Sequence, residues 1–152
     1  MSQTATLEST TRQYVDVRPD VKLVLTALWT AILFVFAYVD ILGLYRADVL
    51  HAALHGKVAS TSVTINQQFL VLTLGYVMVP AVMVVFSLVL KARTNRFLNA
   101  VVSLGYLISV AATCIGEDHV YYLLGSAMEA VLLLAITYFA WRWPTTHPGA
   151  DF

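Results

Sequence analysis

Two carboxyl side chains, Asp40 and Glu129, lie inside long apolar stretches of this sequence. Placing an ionised carboxylate in hydrocarbon costs at least about 2.5–3.5 kcal/mol, so carboxyls in membrane segments are rare and mark functional sites by default. Each takes up a proton or finds hydrogen-bond partners, and each should therefore face the interior of a helical bundle. The purely structural alternatives are a hydrogen bond from Glu129 to Tyr76 or Tyr106, and hydration of Asp40 near the membrane surface.

Helical spacing places further polar groups near these carboxyls. Tyr122 and Ser126 share a helix face with Glu129. Two carboxyls in unequal surroundings suit proton transfer. If the protein is an enzyme, we therefore predict that the more buried Glu129 is the general acid and the more hydrated Asp40 the general base. The hydroxyl-bearing side chains expected to bind a substrate between them are Tyr122, Ser126, Tyr38, Tyr76 and Tyr106.

More polar residues should surround the mouth of such a pocket, and these are His51, His55, Glu117, Asp118 and His119. The histidine pair has the spacing of a metal site on one helix face, but without an HExxH pattern a solvated helix surface is the better interpretation. The single cysteine, Cys114, excludes an internal disulfide and a CxxC redox pair. We predict no metal and, because nucleotide-binding loops and haem ligands are also missing, no cofactor.

The composition is that of a membrane protein. Hydrophobic residues make up 59% of the chain and charged residues 12%, against about 45–50% and about 25% in ordinary globular proteins. The mean hydropathy is +0.76, and so small a soluble domain could not cover this apolar excess with a polar surface. The net charge of zero gives no basic field for nucleic acid.

Four stretches are long enough to cross a bilayer, which takes about 20 apolar residues in a helix. They run from about 23 to 44, 69 to 90, 97 to 115 and 120 to 141. The sequence therefore predicts an all-α, four-helix membrane bundle over residues 21–143, a disordered arm over 1–20 and a flexible tail over 144–152. Small residues in the third span, Gly105, Ser109, Ala112 and Gly116, predict a close contact with another helix.

Basic residues indicate the orientation. Seven lie in the N-terminal arm, in the turn between the second and third spans, and in the tail. Only Arg46 and Lys57 lie on the opposite side. The positive-inside rule then puts both termini in the cytoplasm, and the membrane is expected to be a bacterial inner membrane. Aromatic belts agree, with Trp29, Trp141 and Trp143 near the inner ends and Tyr45, Tyr121 and Tyr122 near the outer ends. In the first outer loop, residues 46–55 predict a short amphipathic helix that ends at Gly56.

Three stretches carry a resemblance: residues 36–45 with Asp40, the basic turn 91–96, and residues 121–129 from Tyr121-Tyr122 to Glu129. Their order resembles small bacterial four-helix membrane proteins of uncharacterised function, loosely similar in layout to DoxX-like proteins. The resemblance implies the four-helix fold and no catalytic residue.

The leading functional hypothesis is an acidic intramembrane pocket, open to the outer leaflet, that binds a membrane lipid or another lipophilic small molecule. If the protein is an enzyme, it is expected to be a cofactor-free acid/base isomerase or cyclase. The alternatives are a proton-coupled transporter, which would have to be a homo-oligomer to enclose an aqueous path, and a non-catalytic accessory subunit.

Overall fold

The structure is a computed structural model that describes residues 19–143, so the predicted tail and nearly all of the predicted arm lie outside the described residues. Its five helices are α1 (Val21–Gly43), α2 (Ala47–Leu54), α3 (Gln67–Val89), α4 (Ala92–Thr113) and α5 (Val120–Trp141). All but α2 are long and apolar enough to span a membrane. Between residues 19 and 143 there is no strand. The predicted all-helical fold with four membrane-spanning helices is confirmed, and it is compatible with an integral membrane protein.

Local sequence signals set the helix ends. The Asp20 side chain caps α1 by accepting from the Lys22 backbone N–H at 2.7 Å, and Asn66 caps α3 through the Phe69 N–H at 2.9 Å. The amphipathic helix α2 forms as predicted and is followed by Gly56 at φ 67°. In contrast, α4 begins at Ala92 instead of residue 97, because the helix continues through the basic turn that the hydropathy pattern excluded.

The helices pack unevenly. Helix α1 contacts α3 and α5, and α5 contacts α4, whereas α3 and α4 touch each other little. We call the end with the short α3–α4 connection the Lys91 side and the opposite end the α2 side. Most of the fully buried side chains lie in the Lys91 half: Leu25, Trp29, Ile32, Ser87, Asn95, Asn99, Ser103, Leu133 and Ile136. The α2 half therefore contributes little to the close-packed core.

A buried polar network joins three helices in the Lys91 half. Asn99 accepts hydrogen bonds from the Trp29 indole N–H at 2.7 Å and the Ser87 hydroxyl at 3.2 Å. Its amide nitrogen donates to the Asn95 backbone oxygen and side-chain oxygen, at 2.9 and 2.6 Å. Trp29 is 0% exposed, so the prediction that it belongs to an aromatic belt is wrong. Its N–H has a partner inside the bundle and does not need the membrane surface.

A second tie links α3 to α4 at Pro80. Proline has no N–H, so the carbonyl of Tyr76, four residues earlier, loses its usual intrahelical donor. The Tyr106 hydroxyl of α4 donates to this carbonyl oxygen instead. The Tyr76 and Tyr106 rings also pack together, with centroids 4.7 Å apart. The proline thus creates an acceptor that holds two otherwise loosely packed helices together.

This tie predicts a conditional effect of Tyr106→Phe. In the wild-type background the substitution leaves the Tyr76 carbonyl without a donor and should lower the free energy of unfolding by about 1–2 kcal/mol. In a Pro80→Ala background the α3 backbone supplies the donor, so the same substitution should have little effect. A double-mutant cycle, measured by denaturant unfolding in mixed micelles, checks this. Equal costs in both backgrounds would contradict the role of the proline.

The small residues of α4 do not form the predicted helix contact. No atom lies within 4 Å of the position that a Cβ on Gly105 would occupy, and Ala112 is exposed. Only Ser109 reaches a neighbouring helix, through a 2.7 Å hydrogen bond to the Tyr76 hydroxyl. This face instead borders an open groove beside α3.

Candidate functional site

A cavity of about 270 Å³ lies in the α2 half of the bundle, and all four long helices contribute to its wall. We call it the acidic cavity because Asp40 and Glu129 both line it. Its lining comprises Phe36, Val39 and Asp40 from α1, Thr73, Tyr76 and Val77 from α3, Ser109, Val110 and Thr113 from α4, and Tyr122 and Glu129 from α5. The structure thereby brings together two acidic residues that are far apart in the sequence.

The two carboxyls have unequal surroundings. Glu129 is 6% exposed, whereas Asp40 is exposed and lies at the rim of the cavity. Within residues 19–143, no group donates a hydrogen bond to either carboxyl, and neither Tyr76 nor Tyr106 bonds to Glu129 as the structural alternative required. Every side-chain oxygen in this part of the chain that is shielded from solvent has a hydrogen-bond partner. An oxygen without a partner must therefore be open to solvent or to a cavity. The Glu129 carboxyl therefore faces the space of the cavity.

Most hydroxyl groups of the cavity wall are already engaged. Thr73 donates to the Phe69 carbonyl and Thr113 to the Val110 carbonyl, both at 2.9 Å. The Tyr76 hydroxyl is bonded to Ser109 at 2.7 Å. The two carboxyls and the Tyr122 hydroxyl are consequently the polar groups of the cavity that remain available to a bound molecule.

The pair formed by Tyr76 and Ser109 separates the acidic cavity from a larger groove. This groove, of about 570 Å³, runs between α3 and α4 and is lined mostly by small and aliphatic residues. Tyr76 and Ser109 line both hollows, and Tyr106 lines the groove only. A hydrocarbon chain in the groove would therefore lie one side chain away from the carboxyls.

A close helix crossing forms the opposite wall. Gly125 of α5 packs directly on Val39 of α1, so closely that a Cβ at Gly125 would overlap Val39 Cγ2. The Tyr121 hydroxyl similarly approaches Gly43, at 3.6 Å from its Cβ position. These contacts bring α1 and α5 together and so set Asp40 and Glu129 on one cavity.

A charged cluster ties the loops on the α2 side. The Arg46 guanidinium bonds to Asp48 at 2.7 Å and lies 3.4 Å from the Glu117 carboxylate. Glu117 also accepts from the backbone N–H of His119 at 3.0 Å and bonds to its ring nitrogen. These bonds from His119, helped by Arg46, hold the pKa of Glu117 below its ordinary value of 4.5. The hydrogen bond from Arg46 lowers the pKa of Asp48 to about 2.

This cluster predicts an acid-sensitive stability. Because folding lowers the pKa of Glu117, its stabilising effect is present above its ordinary value of 4.5 and is lost as the pH falls through the folded-state pKa. The melting temperature of the wild type should fall more between about pH 5 and pH 3 than that of Glu117→Gln. The exposed Asp118→Asn serves as control and should behave as the wild type. Parallel curves for all three proteins would refute the coupling.

The remaining predicted residues lie away from the cavity wall. Tyr38 is 62% exposed on α1, and Ser126 is buried but is not part of the lining. His51 on α2 and His55 just after its end are exposed and pack against each other, with ring centroids 4.4 Å apart. Asp118 is also exposed. Over residues 19–143, no three His, Cys, Asp or Glu side chains lie close enough to hold a metal ion.

Several lining residues were not predicted. Phe36 shares the face of Asp40, and this spacing is the signal that identifies it. Val39 and Thr113 carried no such signal. The position of Val39 in the cavity wall depends on the crossing at Gly125, and that of Thr113 depends on the turn after α4. Arg46 was assigned to the charge count and to the short amphipathic helix, but its ion pairs with Asp48 and Glu117 were not predicted.

Comparison with known proteins places the chain in a family. The sequence model of a family of unknown function, DUF6326, matches residues 14–148. The chain belongs to this family. The matched residues include all five helices of this DUF6326 protein, and with them both carboxyls of the acidic cavity. No curated protein and no solved structure matches the chain, so similarity to DoxX-like proteins is not shown.

Proposed function

We propose that this protein binds a lipophilic small molecule in the acidic cavity. The observation that carries the proposal is the meeting of Asp40 and Glu129 in one cavity with no basic side chain in its lining. Carboxyls in a membrane segment are expensive to maintain. Here they have no structural partner within the described residues, and a bound molecule gives them one.

The surroundings favour a ligand that arrives from the membrane. The groove between α3 and α4 offers an apolar surface beside the cavity, separated from it by Tyr76 and Ser109. The excess of basic residues on the Lys91 side supports an orientation with both termini in the cytoplasm of a bacterium, and the acidic cavity then faces the outer leaflet of the inner membrane. All four long helices of one chain contribute residues to the cavity lining.

The unequal burial of the two carboxyls also supports acid/base chemistry. Glu129 would give a proton to an alkene or an epoxide oxygen, and Asp40 would take one from a neighbouring carbon of the same molecule. Protons balance, so an isomerisation or cyclisation needs no cofactor. In D₂O, the wild type would introduce deuterium at a carbon atom of a bound alkene, where it does not exchange with solvent, and folded Glu129→Gln would introduce none.

The proposal is tested by measuring which molecules the protein retains. Wild type, Asp40→Asn and Glu129→Gln are purified from native membranes and extracted with organic solvent, and the extracts are compared by mass spectrometry. Loss of a charge-assisted hydrogen bond should weaken retention about tenfold or more in each variant. Asp118→Asn removes an exposed carboxyl by the same substitution and should retain as much as the wild type. Equal retention by all four proteins would refute the proposal.

A further inference from the structure

We infer that the acidic cavity takes a small organic ammonium ion, with the carboxyls of Asp40 and Glu129 as its acceptors and aromatic side chains as its walls. The inference rests on the proposed binding function and names the chemical class of its ligand. It is separate from the acid/base chemistry considered above, which would need Glu129 protonated. Four properties of the cavity carry it: the sign of its charge, the unpaired buried carboxyl, the shortage of free donors and the aromatic lining.

The cavity lining carries acidic groups and no lysine, arginine or histidine. Arg46, on the same side of the bundle, is held by Asp48 and Glu117. Two carboxylates that share a cavity of low polarity repel each other, and both lose hydration there. A cation between them offsets both effects, whereas an anion would add to the repulsion.

Glu129 presents to the cavity a carboxyl that has no protein partner within residues 19–143. Its residue is more than nine-tenths buried, yet no group in residues 19–143 donates a hydrogen bond to its carboxyl, which faces the cavity. The oxygens of this carboxyl are open to the cavity and not shielded, so water or a ligand must supply their hydrogen bonds. A ligand N–H in the cavity would supply the donor that the chain does not.

The hydroxyl groups of the wall offer little to a ligand that needs donors. Thr73 and Thr113 donate to backbone carbonyls of their own helices, and the Tyr76 hydroxyl is paired with Ser109. Tyr122 is the one lining residue whose hydroxyl makes no hydrogen bond within residues 19–143. A carboxylate or phosphate ligand would therefore find one free donor beside two acidic groups. An ammonium group, which carries donors only, matches the two free carboxyls.

Aromatic side chains supply the rest of the wall. Phe36, Tyr76 and Tyr122 line the cavity, and the Phe36 and Tyr76 rings are stacked with centroids 5.9 Å apart. Aromatic faces attract cations within about 6 Å, most strongly where water is excluded. The volume of about 270 Å³ admits an amine with one ring or a short chain, while a longer apolar part would extend past Tyr76 into the groove.

The test compares three probes of similar size that differ in their polar group: 2-phenylethylammonium, 2-phenylethanol and 3-phenylpropionate. Each is titrated calorimetrically into the full-length protein in lipid nanodiscs at constant sodium concentration, with empty nanodiscs subtracted. The wild type should bind the ammonium about tenfold or more tightly than the alcohol, and the carboxylate not at all. Asp40→Asn and Glu129→Gln should each lose about tenfold in ammonium affinity, with Asp118→Asn unchanged.

Melting curves of each variant confirm that it is folded before titration. Equal affinity for the alcohol and the ammonium would overturn the inference and leave the proposed binding function standing, as would a wild type that binds no probe but still retains a native molecule through Asp40 and Glu129. If sodium ions at the same concentration as the ammonium probe abolished its binding, the inference would also be overturned, because the cavity would then be a site for an inorganic cation. Failure of both the titrations and the retention experiment would remove the binding function itself.

Discussion

Asn99→Ala is expected to lower the free energy of unfolding by about 2–4 kcal/mol, one of the two largest effects predicted here for a single substitution. The side chain of Asn99 accepts from Trp29 and Ser87 and donates to Asn95. All four residues are 0% exposed, so alanine leaves several polar atoms without partners in a region that water does not reach. Each such atom costs about 1–3 kcal/mol, reduced in membranes because the unfolded chain also finds partners.

A matched substitution elsewhere separates this effect from the loss of any asparagine. Asn66→Ala removes one capping bond at the exposed start of α3 and should cost about 1 kcal/mol. Both variants are unfolded by denaturant in mixed micelles, with helix content as the signal. Because the network lies outside the acidic cavity, folded Asn99→Ala should retain the native ligand. Equal stability of the two variants would show that the network contributes little.

Gly125→Ala is the second substitution with a large expected effect, a destabilisation of about 1–3 kcal/mol from overpacking. The new Cβ overlaps Val39 Cγ2, and valine in a helix has one strongly preferred rotamer, so the side chain cannot easily turn away. Helices α1 and α5 must then separate. Val39 also lines the acidic cavity, so we expect retention of the native ligand to fall as well.

Two further variants make this prediction specific. Val39→Ala, combined with Gly125→Ala, removes the overlapping methyl groups and should restore much of the lost stability. Gly105→Ala makes the same change where nothing lies within 4 Å and should be neutral, or stabilising by up to about 1 kcal/mol through helix propensity. Thermal unfolding and ligand extraction are compared for all four proteins. If Gly105→Ala is as destabilising as Gly125→Ala, the crossing is not the cause.

The sequence predicted the features that depend on hydropathy and local signals. The four spans, the short helix α2 and its end at Gly56 follow from runs of apolar residues, helical periodicity and the conformational freedom of glycine. The beginning of α4 was missed because hydropathy marks the apolar part of a helix and not the polar turn before it.

Features that depend on which helix faces which could not be predicted from one sequence. The small residues of α4 look suited to a helix contact, yet Gly105 borders an open groove, while Gly125 on α5 makes the closest crossing. Trp29 is of a residue type that is common at membrane surfaces and was predicted to lie near one end of its span, but its indole N–H donates to Asn99 in the core. Helical spacing put both Tyr122 and Ser126 on the face of Glu129. Tyr122 lines the same cavity as Glu129, whereas Ser126 is buried outside the lining.

The meeting of the two carboxyls is the feature on which the functional account depends. An experimental structure of the protein, purified from native membranes into nanodiscs, tests it most directly. We predict non-protein density in the acidic cavity within hydrogen-bonding distance of both Asp40 and Glu129. A cavity filled by the protein's own side chains, or carboxyls that bond to separate helices, would contradict the account.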